Sequence, residues 1–448
     1  MHKESALHIL RQAEDALRDR RYDHALTILG VGFASQIGYR PFYTLAARVL
    51  EHMDARREAR LFWQALANFE DWEPFFRIGF YFVDAWQYDM ATPFMERAHQ
   101  VAPENADVAH ELALCYANTF RVAEALTMLE AFERHDFWTS YRMHRYRLLL
   151  GETAGLEDYL AKASGALSRQ QGQHEGVSQG YALLEELREM WHRCRAAGGE
   201  AGPWELRRWH FIQYGSVLLE QMGEERRREL ATAMQVDAGG RFIRYFGGMG
   251  QVSALLHRLV RQLAISGKEH RKIVYLENRD DAILALALSR LTGLPAEPAD
   301  GENLSHAHTL VVAADNRTYN GEHELCEVQP HQTVFAFQID WMQPAMMCPD
   351  IAGVLTLQYA FPWRRKPQGE SFMSLASQAY GDPEDLHERT AEEVADLLAQ
   401  TPPAPLESPP VEACRVALGQ AALALRHRPV FRVESPVRKQ GAISPFMM

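Results

Sequence analysis

The sequence predicts an α-helical solenoid followed by a small α/β domain with a mostly parallel sheet. Two periodicities predict it. In the first part of the chain, small and large apolar residues recur at helical spacing in units of roughly 34 residues. From about Arg241 the pattern switches to short, almost wholly apolar runs that alternate with helical stretches. A third observation sets the scale: 448 residues that are 47% hydrophobic supply enough apolar material for two or three folded domains. The expected boundaries are helical repeats over 1–139, further helices that extend or cap them over 140–235, the α/β domain over 240–365, and helices, a proline-rich linker and a tail over 366–448.

The clearest repeat unit begins at Trp72. Counted from there, a bulky aromatic stands at position 4 (Phe75), an aliphatic at 7 (Ile78), Gly at 8 (Gly79) and an aromatic at 11 (Phe82). Ala falls at 20 and 27 (Ala91, Ala98), a large apolar residue at 24 (Met95) and Pro at 32 (Pro103). Small residues at 8 and 20 let two antiparallel helices approach closely. Large residues at 4, 7, 11 and 24 fill the space between successive pairs, and the Pro ends the second helix. This 34-residue pattern resembles the tetratricopeptide repeat family. The unit from Ala106 repeats it with Leu112, Ala113, Tyr116, Ala125 and Leu129, but has Phe132 at position 27 and no closing Pro. Upstream, Tyr43, Ala46, Ala47, Leu50, Ala59, Trp63 and Leu66 fit a unit from about Arg40. Ala13, Ala16, Ala25 and Leu29 fit a first one, with Arg20–Ala25 as its inter-helix turn. Helical patterns continue through 140–150, 156–167, 180–196 and 204–222, separated by loops near 168–176 and 196–203. The resemblance implies a protein or peptide partner held by the first helices of the pairs. In the best unit that face includes Arg77, Phe80, Tyr81 and Asp84. The next unit contributes Glu111 and Leu114, with Cys115 beside them.

In the second half, strands are expected at 241–246, 272–276, 309–313, 333–337 and 351–357, and helices at 251–266 and 280–291. Apolar strands of this kind suit a parallel sheet covered on both faces, a Rossmann-like layered domain. The order of parts is similar to a type I phosphoribosyltransferase. An early strand and helix (Val274 to Leu291) lead to a Leu294-Pro295 break, then to an apolar strand running into Asp315-Asn316-Arg317-Thr318-Tyr319-Asn320-Gly321. That family carries two adjacent acids, then Thr and Gly, in this loop. Here the second acid is Asn316 and the Gly is displaced, which removes half of the expected ribose-holding charge. A generic Rossmann-like sheet accounts for the same pattern.

Candidate chemistry is sparse. Phe246-Gly247-Gly248-Met249-Gly250 lies between a strand and a helix, where backbone amides can hold an anion. With Arg244 nearby, and Asp315 at the end of a strand in the same domain, Gly247, Gly248 and Gly250 are candidate contacts for a small anionic ligand. The same glycines also suit a tight turn that needs positive φ. Asp280-Asp281 opens a helix and reads as a cap on its first turn. His306, His308, His323, His331 and Cys326 match no zinc spacing. No GxSxG, HExxH or supported Cys/His pair occurs, so no catalytic residue, metal or cofactor is assigned.

The formal charge of −12 excludes a general nucleic-acid binder. Arg226-Arg227-Arg228 is flanked by Glu224, Glu225 and Glu229, which makes it a salt-paired helix face. Arg18/Arg20/Arg21 and Arg364-Arg365-Lys366 are further short basic clusters. No membrane span or secretory leader is read, and five scattered cysteines without a CxxC pair fit a reducing cytoplasm. Pro402, Pro403, Pro405, Pro409 and Pro410 form a stiff linker after an acidic helix over 383–400, followed by a helix over 411–425 and an end that docks or runs free. Together these features describe a protein-binding scaffold whose α/β part is non-catalytic. The alternative is a nucleotide- or sugar-phosphate-acting transferase whose repeats recruit a partner.

Overall fold

The computed structural model describes residues 2–119, 121–131, 136–169, 176–197, 206–234, 238–276, 278–364, 386–408 and 428–431. The chain divides into two compact units, one running to Ala166 and one from Leu167 to Val433.

The first unit is a stack of antiparallel helix pairs. They are α1 (His2–Arg18) with α2 (Tyr22–Ser35), α3 (Arg40–His52) with α4 (Arg56–Ala67), α5 (Trp72–Asp84) with α6 (Tyr88–Val101), and α7 (Ala106–Asn118) with α8 (Val122–Glu130). Then α9 (Phe137–Leu149) follows, and α10 (Leu156–Arg169) carries the chain past Ala166. The second helices begin at Tyr22, Arg56, Tyr88 and Val122, which is the repeat of roughly 34 residues that the small-residue spacing requires. Short Asx side chains start three of the first helices. Asp71 accepts from Glu73 N, Asn105 from Asp107 N at 3.0 Å, and Asp136 from Thr139 N at 2.7 Å.

The predicted small positions Ala13, Ala25, Ala47, Ala59, Ala91, Ala98, Ala113 and Ala125 are all buried. At Gly79 an added Cβ would meet Met95 Cγ at 2.9 Å, so this glycine makes room for Met95 on α6. Aromatic rings fill the space between pairs. Phe33 of α2 lies 4.8 Å from Phe94 of α6 and 4.9 Å from Tyr43 of α3, and Phe69 lies 5.3 Å from Phe75. One expected position differs. Trp63 is exposed and donates its indole N–H to Glu51, because Phe62, one residue earlier, takes the interior place. Phe132 lies outside the described residues.

The second unit holds α11 (Gly176–Ala196), α12 (Leu206–Tyr214), β1 (Val217–Leu218), α13 (Glu224–Met234), β2 (Phe242–Phe246), α14 (Met249–Ser266), β3 (Lys272–Tyr275) and α15 (Arg279–Thr292). After these come β4 (Ala296–Pro298), β5 (Thr309–Asp315), β6 (Thr333–Ile339), β7 (Ile351–Ala360) and α16 (Ala391–Gln400). The sheet is parallel throughout, in the order β1-β7-β6-β5-β3-β4, with β2 also on β7. Alternation along the strands separates two cores. Leu310 and Val312 of β5 with Phe335 and Phe337 of β6 join the side chains of α14, α15 and α16. Val311, Ala313, Val334 and Ala336 face Leu304, Tyr319, Leu325 and Met347. That second face is covered by irregular segments and one-turn helices at Asn303–Ser305, Asn316–Tyr319 and His323–Cys326.

Several expectations shift here. The helix read over 204–222 ends at Tyr214, because Gly215 adopts φ 70. Val217 and Leu218 then pair with Ile351 and Ala352, so the sheet gains a strand from a stretch read as helix. The strand β4 is additional. The acidic helix starts at Ala391, where Thr390 and Glu393 form a capping box, rather than at 383. The described part of the stiff proline-rich linker, 402–408, is anchored to this unit. Ala404 N donates to Gly250 O at 2.9 Å, and Ser408 N donates to Glu220 Oε1 at 2.8 Å. The loops near 168–176 and 196–203 fall largely outside the described residues. Pro409, Pro410, the helix over 411–425, and residues 365–366 and 432–448 lie wholly outside them.

Candidate functional site

On α5, Arg77, Phe80 and Asp84 fall at i, i+3 and i+7 and share one exposed face. Phe80 is 41% exposed, an unusual cost for a large apolar ring on a helix that buries Phe75, Ile78 and Phe82. It stacks on Phe76 at 5.9 Å, and Phe76 in turn meets Trp72 at 5.8 Å. The three rings make a stripe at i, i+4 and i+8. Arg77 pairs with Glu73 at 2.5 Å on its flank. Tyr81 sits at the margin, where burial, then the nearby Glu58 carboxylate, raises its hydroxyl pKa.

On α7, Glu111 and Leu114 are half-buried. Burial raises the Glu111 pKa; Arg142 opposes this, while Asp84 and Asp107 add to the rise. The structure thus brings Asp84 of α5 close to Glu111 of α7. Cys115 is fully buried and does not line this surface. Next to them His110 Nε2 meets Thr139 Oγ1 at 2.6 Å, and Arg142 donates to His110 O at 3.0 Å. A cavity of about 510 Å³ lies between α1 and α3, with Leu17 and Leu45 in its wall and Arg18, Arg20, Arg48 and His52 around them. The sequence reading missed Phe76 and Trp72, although their four-residue spacing with Phe80 was visible. It noted Arg18 and Arg20 but could not supply Arg48, which reaches the same cavity from the next pair.

In the second unit, β3 has β4 on one side and β5 on the other, so the strand order reverses there. The carboxyl ends of β3 and β5 flank the place where open parallel sheets hold ligands. Asp281, fully buried, spans it. Its Oδ1 accepts from Ala314 N at 2.6 Å, its Oδ2 accepts from Asn278, and burial pushes its pKa up to about 7. Asn278 is the actual cap of α15, so Asp281 joins helix to strand rather than only capping. Asp280 accepts from Trp363 Nε1 at 2.7 Å and from the Arg364 guanidinium.

Asp315 is engaged on both oxygens, by Arg317 Nε at 3.0 Å and Nη2 at 2.6 Å, and by Gln338 Nε2 at 2.7 Å. Against its burial, these contacts hold the carboxyl below the ordinary range. The segment after it forms a one-turn helix, Asn316–Tyr319, with the Tyr319 side chain buried and donating to Phe335 O.

The glycine segment lies elsewhere, between β2 and α14. Gly248 caps α14 with φ −68, and neither Gly247 nor Gly250 has positive φ, so the turn does not need their conformational freedom. It needs their size. A Cβ on Gly247 would meet the Tyr359 hydroxyl at 3.1 Å, and one on Gly250 would meet Ala404 Cβ at 3.0 Å. Arg244 Nε donates to Gln358 Oε1 at 3.2 Å. Arg227 and Arg228 pair with Glu224, and Arg226 with Glu407. Among the described residues no cluster of His, Cys, Asp and Glu could hold a metal ion. No described helix is long and apolar enough to cross a membrane.

No protein-family model matches the chain. No curated protein matches it. Among solved structures it is similar in part to YrrB, a TPR protein with an unusual peptide-binding site, at 18% identity over 40% of this chain and 93% of that one, with a TM-score of 0.24. It is also similar to MamA (AMB-1), at 14% identity over 40% of this chain and 98% of that one, with a TM-score of 0.23. For MamA (MSR-1) the values are 15%, 41% and 97%, with a TM-score of 0.20. The repeat architecture described above is read from this chain's own helix pairing, spacing and buried small residues.

Proposed function

We propose that the chain is a protein-binding scaffold whose first unit holds a peptide segment of a partner across α5 and α7. The observation that carries this reading is the partly exposed ring stripe Trp72–Phe76–Phe80, bounded by Arg77 on one flank and by Asp84 and Glu111 ahead of it. Rings held by a packed helix lose little entropy on contact and offer large apolar area, which is what binding hot spots require. The acids at Asp84 and Glu111 favour a basic residue on the partner beside an apolar one. A cytoplasmic setting, read from the scattered cysteines, belongs to the same proposal.

The α/β unit serves this scaffold without catalysis. Phosphoribosyl transfer asks for carboxylates open to ribose hydroxyls and for close amide donors around a phosphate. Asp315 is instead closed by Arg317 and Gln338, which favours the non-catalytic reading over the transferase alternative.

The test is selection of binders from a displayed random-peptide library against the full chain, followed by titration of the selected peptides. Phe80→Asp and Arg77→Glu should each weaken them tenfold or more. Peptides that bind both variants as tightly as the parent would defeat the reading.

A further inference from the structure

In the first unit α1 ends at Arg18 and α3 ends at His52, and the cavity of about 510 Å³ lies between these two helices. That volume is within the roughly 300–1,000 Å³ of small-molecule sites. Leu17 and Leu45 are its apolar members. The polar lining is Glu14, Arg18, Arg20, Tyr22, Arg48 and His52, so three guanidiniums stand against one carboxylate.

Part of this charge has a structural reason. The last carbonyls of a helix carry partial negative charge, which a cation in the last turn offsets. Arg18 and His52 stand in those places. Arg18 also pairs with Asp15 at 2.8 Å, and His52 donates from Nδ1 to Arg48 O at 2.7 Å. Arg20 and Arg48 have no such reason. Neither side chain makes an ion pair or a hydrogen bond among the described residues, and neither does Glu14. Both arginines are exposed, so a ligand can reach them. Arg20 stands at φ 59, in the left-handed turn after α1 where glycine fits best. The next two pairs put Asp54 and Trp86 at that turn, with φ 58 and 60, so a cation there is particular to the first pair.

We propose that this cavity binds a phosphomonoester with a small organic body. The anionic group lies among Arg18, Arg20 and Arg48, and the body against Leu17, Leu45 and the Tyr22 ring. A carboxylate has two oxygens, which one guanidinium fork satisfies. A phosphomonoester has three terminal oxygens and close to two charges, which suits forks arriving from α1, from the turn and from α3. The exposed Arg18–Asp15 pair is worth little and yields Arg18 to such a ligand. Glu14 opposes any anion and keeps the site weak for a singly charged one. None of these residues belongs to the face of α5 and α7, so the site does not rest on the peptide reading.

Calorimetry of the full chain with phenyl phosphate tests it, at about pH 7.5, where the ester is nearly all dianion. Phenyl sulfate, of similar shape and a single charge, and benzoate are the comparisons. Phenyl phosphate should bind one to one, at least tenfold tighter than either. Arg48→Gln should weaken it fivefold or more. Arg20→Gly should do the same while melting within a few degrees of the parent, because glycine adopts the left-handed turn without strain. Binding lost in that variant is therefore not folding lost. Glu14→Gln should tighten phenyl phosphate and phenyl sulfate alike. Phenyl sulfate or benzoate binding as tightly as phenyl phosphate would overturn the proposal. So would failure of phenyl phosphate to bind, or binding that survives Arg20→Gly and Arg48→Gln combined.

Discussion

The two units are held together by different means. In the repeats, most of the named packing contacts join residues within about half a repeat of each other: Phe33 with Tyr43, Phe69 with Phe75, Gly79 with Met95; Phe33 with Phe94, from α2 to α6, is the longest. Ion pairs such as Arg18–Asp15 and Arg77–Glu73 are exposed and contribute little. In the α/β unit, buried charges tie distant parts of the chain. Arg428 donates to both oxygens of Asp350 at 2.9 and 3.0 Å, and to Leu325 O and Glu327 O at 2.6 and 2.9 Å. Around it, Phe431 and Ala345 form an isolated bridge. The second unit is therefore locked by a residue more than 60 positions beyond its last strand, while each repeat depends mainly on its neighbours.

The largest predicted effect tests that contrast. Arg428→Ala leaves Asp350 buried without its partner and should destabilise the second unit by ~3–5 kcal/mol. Hydrogen exchange should accelerate across 238–364 and stay unchanged across 2–119. Acceleration in both would mean the units share one fate.

In the repeats, Gly79→Leu should cost ~1–3 kcal/mol. The side chain it displaces, Met95, is flexible, which keeps the cost below that of Arg428→Ala. Its exchange signature should be confined to 2–166. An unchanged melting profile would contradict the helix register.

Acid should weaken the second unit. Burial, then Arg241, lowers the His210 pKa to about 3, and burial, then Lys268, lowers His270 to about 4. Below pH ~6.5 the unfolded chain takes up protons that these folded imidazoles refuse, so stability falls as pH drops from there towards 4. Asp281 acts in the opposite sense. Its raised pKa keeps a proton that the unfolded chain releases above about 4, so its contribution is lost as pH rises through 7. Burial likewise raises Glu189, Glu220 and Asp340, which act with Asp281 against the two histidines in the slope of stability with pH between about 4 and 6.5. His210→Met should lower that slope by about one proton; an unaltered slope would remove His210 from the explanation.

The smallest expected effect on stability is at Phe80. Because the ring is already partly exposed, Phe80→Asp should change stability by no more than about 0.5 kcal/mol while costing binding.

What could be read from the sequence follows the same division. Gly79, Ala91, Ala98 and Met95 announced the repeats because one helix pair carries its whole packing rule within 34 residues. Arg77, Phe80 and Asp84 were found on a common face because helical spacing fixes them. Tertiary choices escaped: Phe62 over Trp63 in the interior, Gly215 diverting a helix into β1, and Ala404 settling on Gly250. Asp280 and Asp281 looked like ordinary first-turn acids. Only the fold revealed that one meets Trp363 and Arg364 and the other a strand amide, because those partners lie more than 30 residues away.

The claim that binding belongs to the first unit, on the face of α5 and α7, is tested most directly by hydrogen exchange of the full chain with and without a library-selected peptide. The account predicts slowed exchange concentrated in 72–118, absent when Phe80→Asp is used. Slowing confined to 238–364, with 72–118 unaffected, would contradict it.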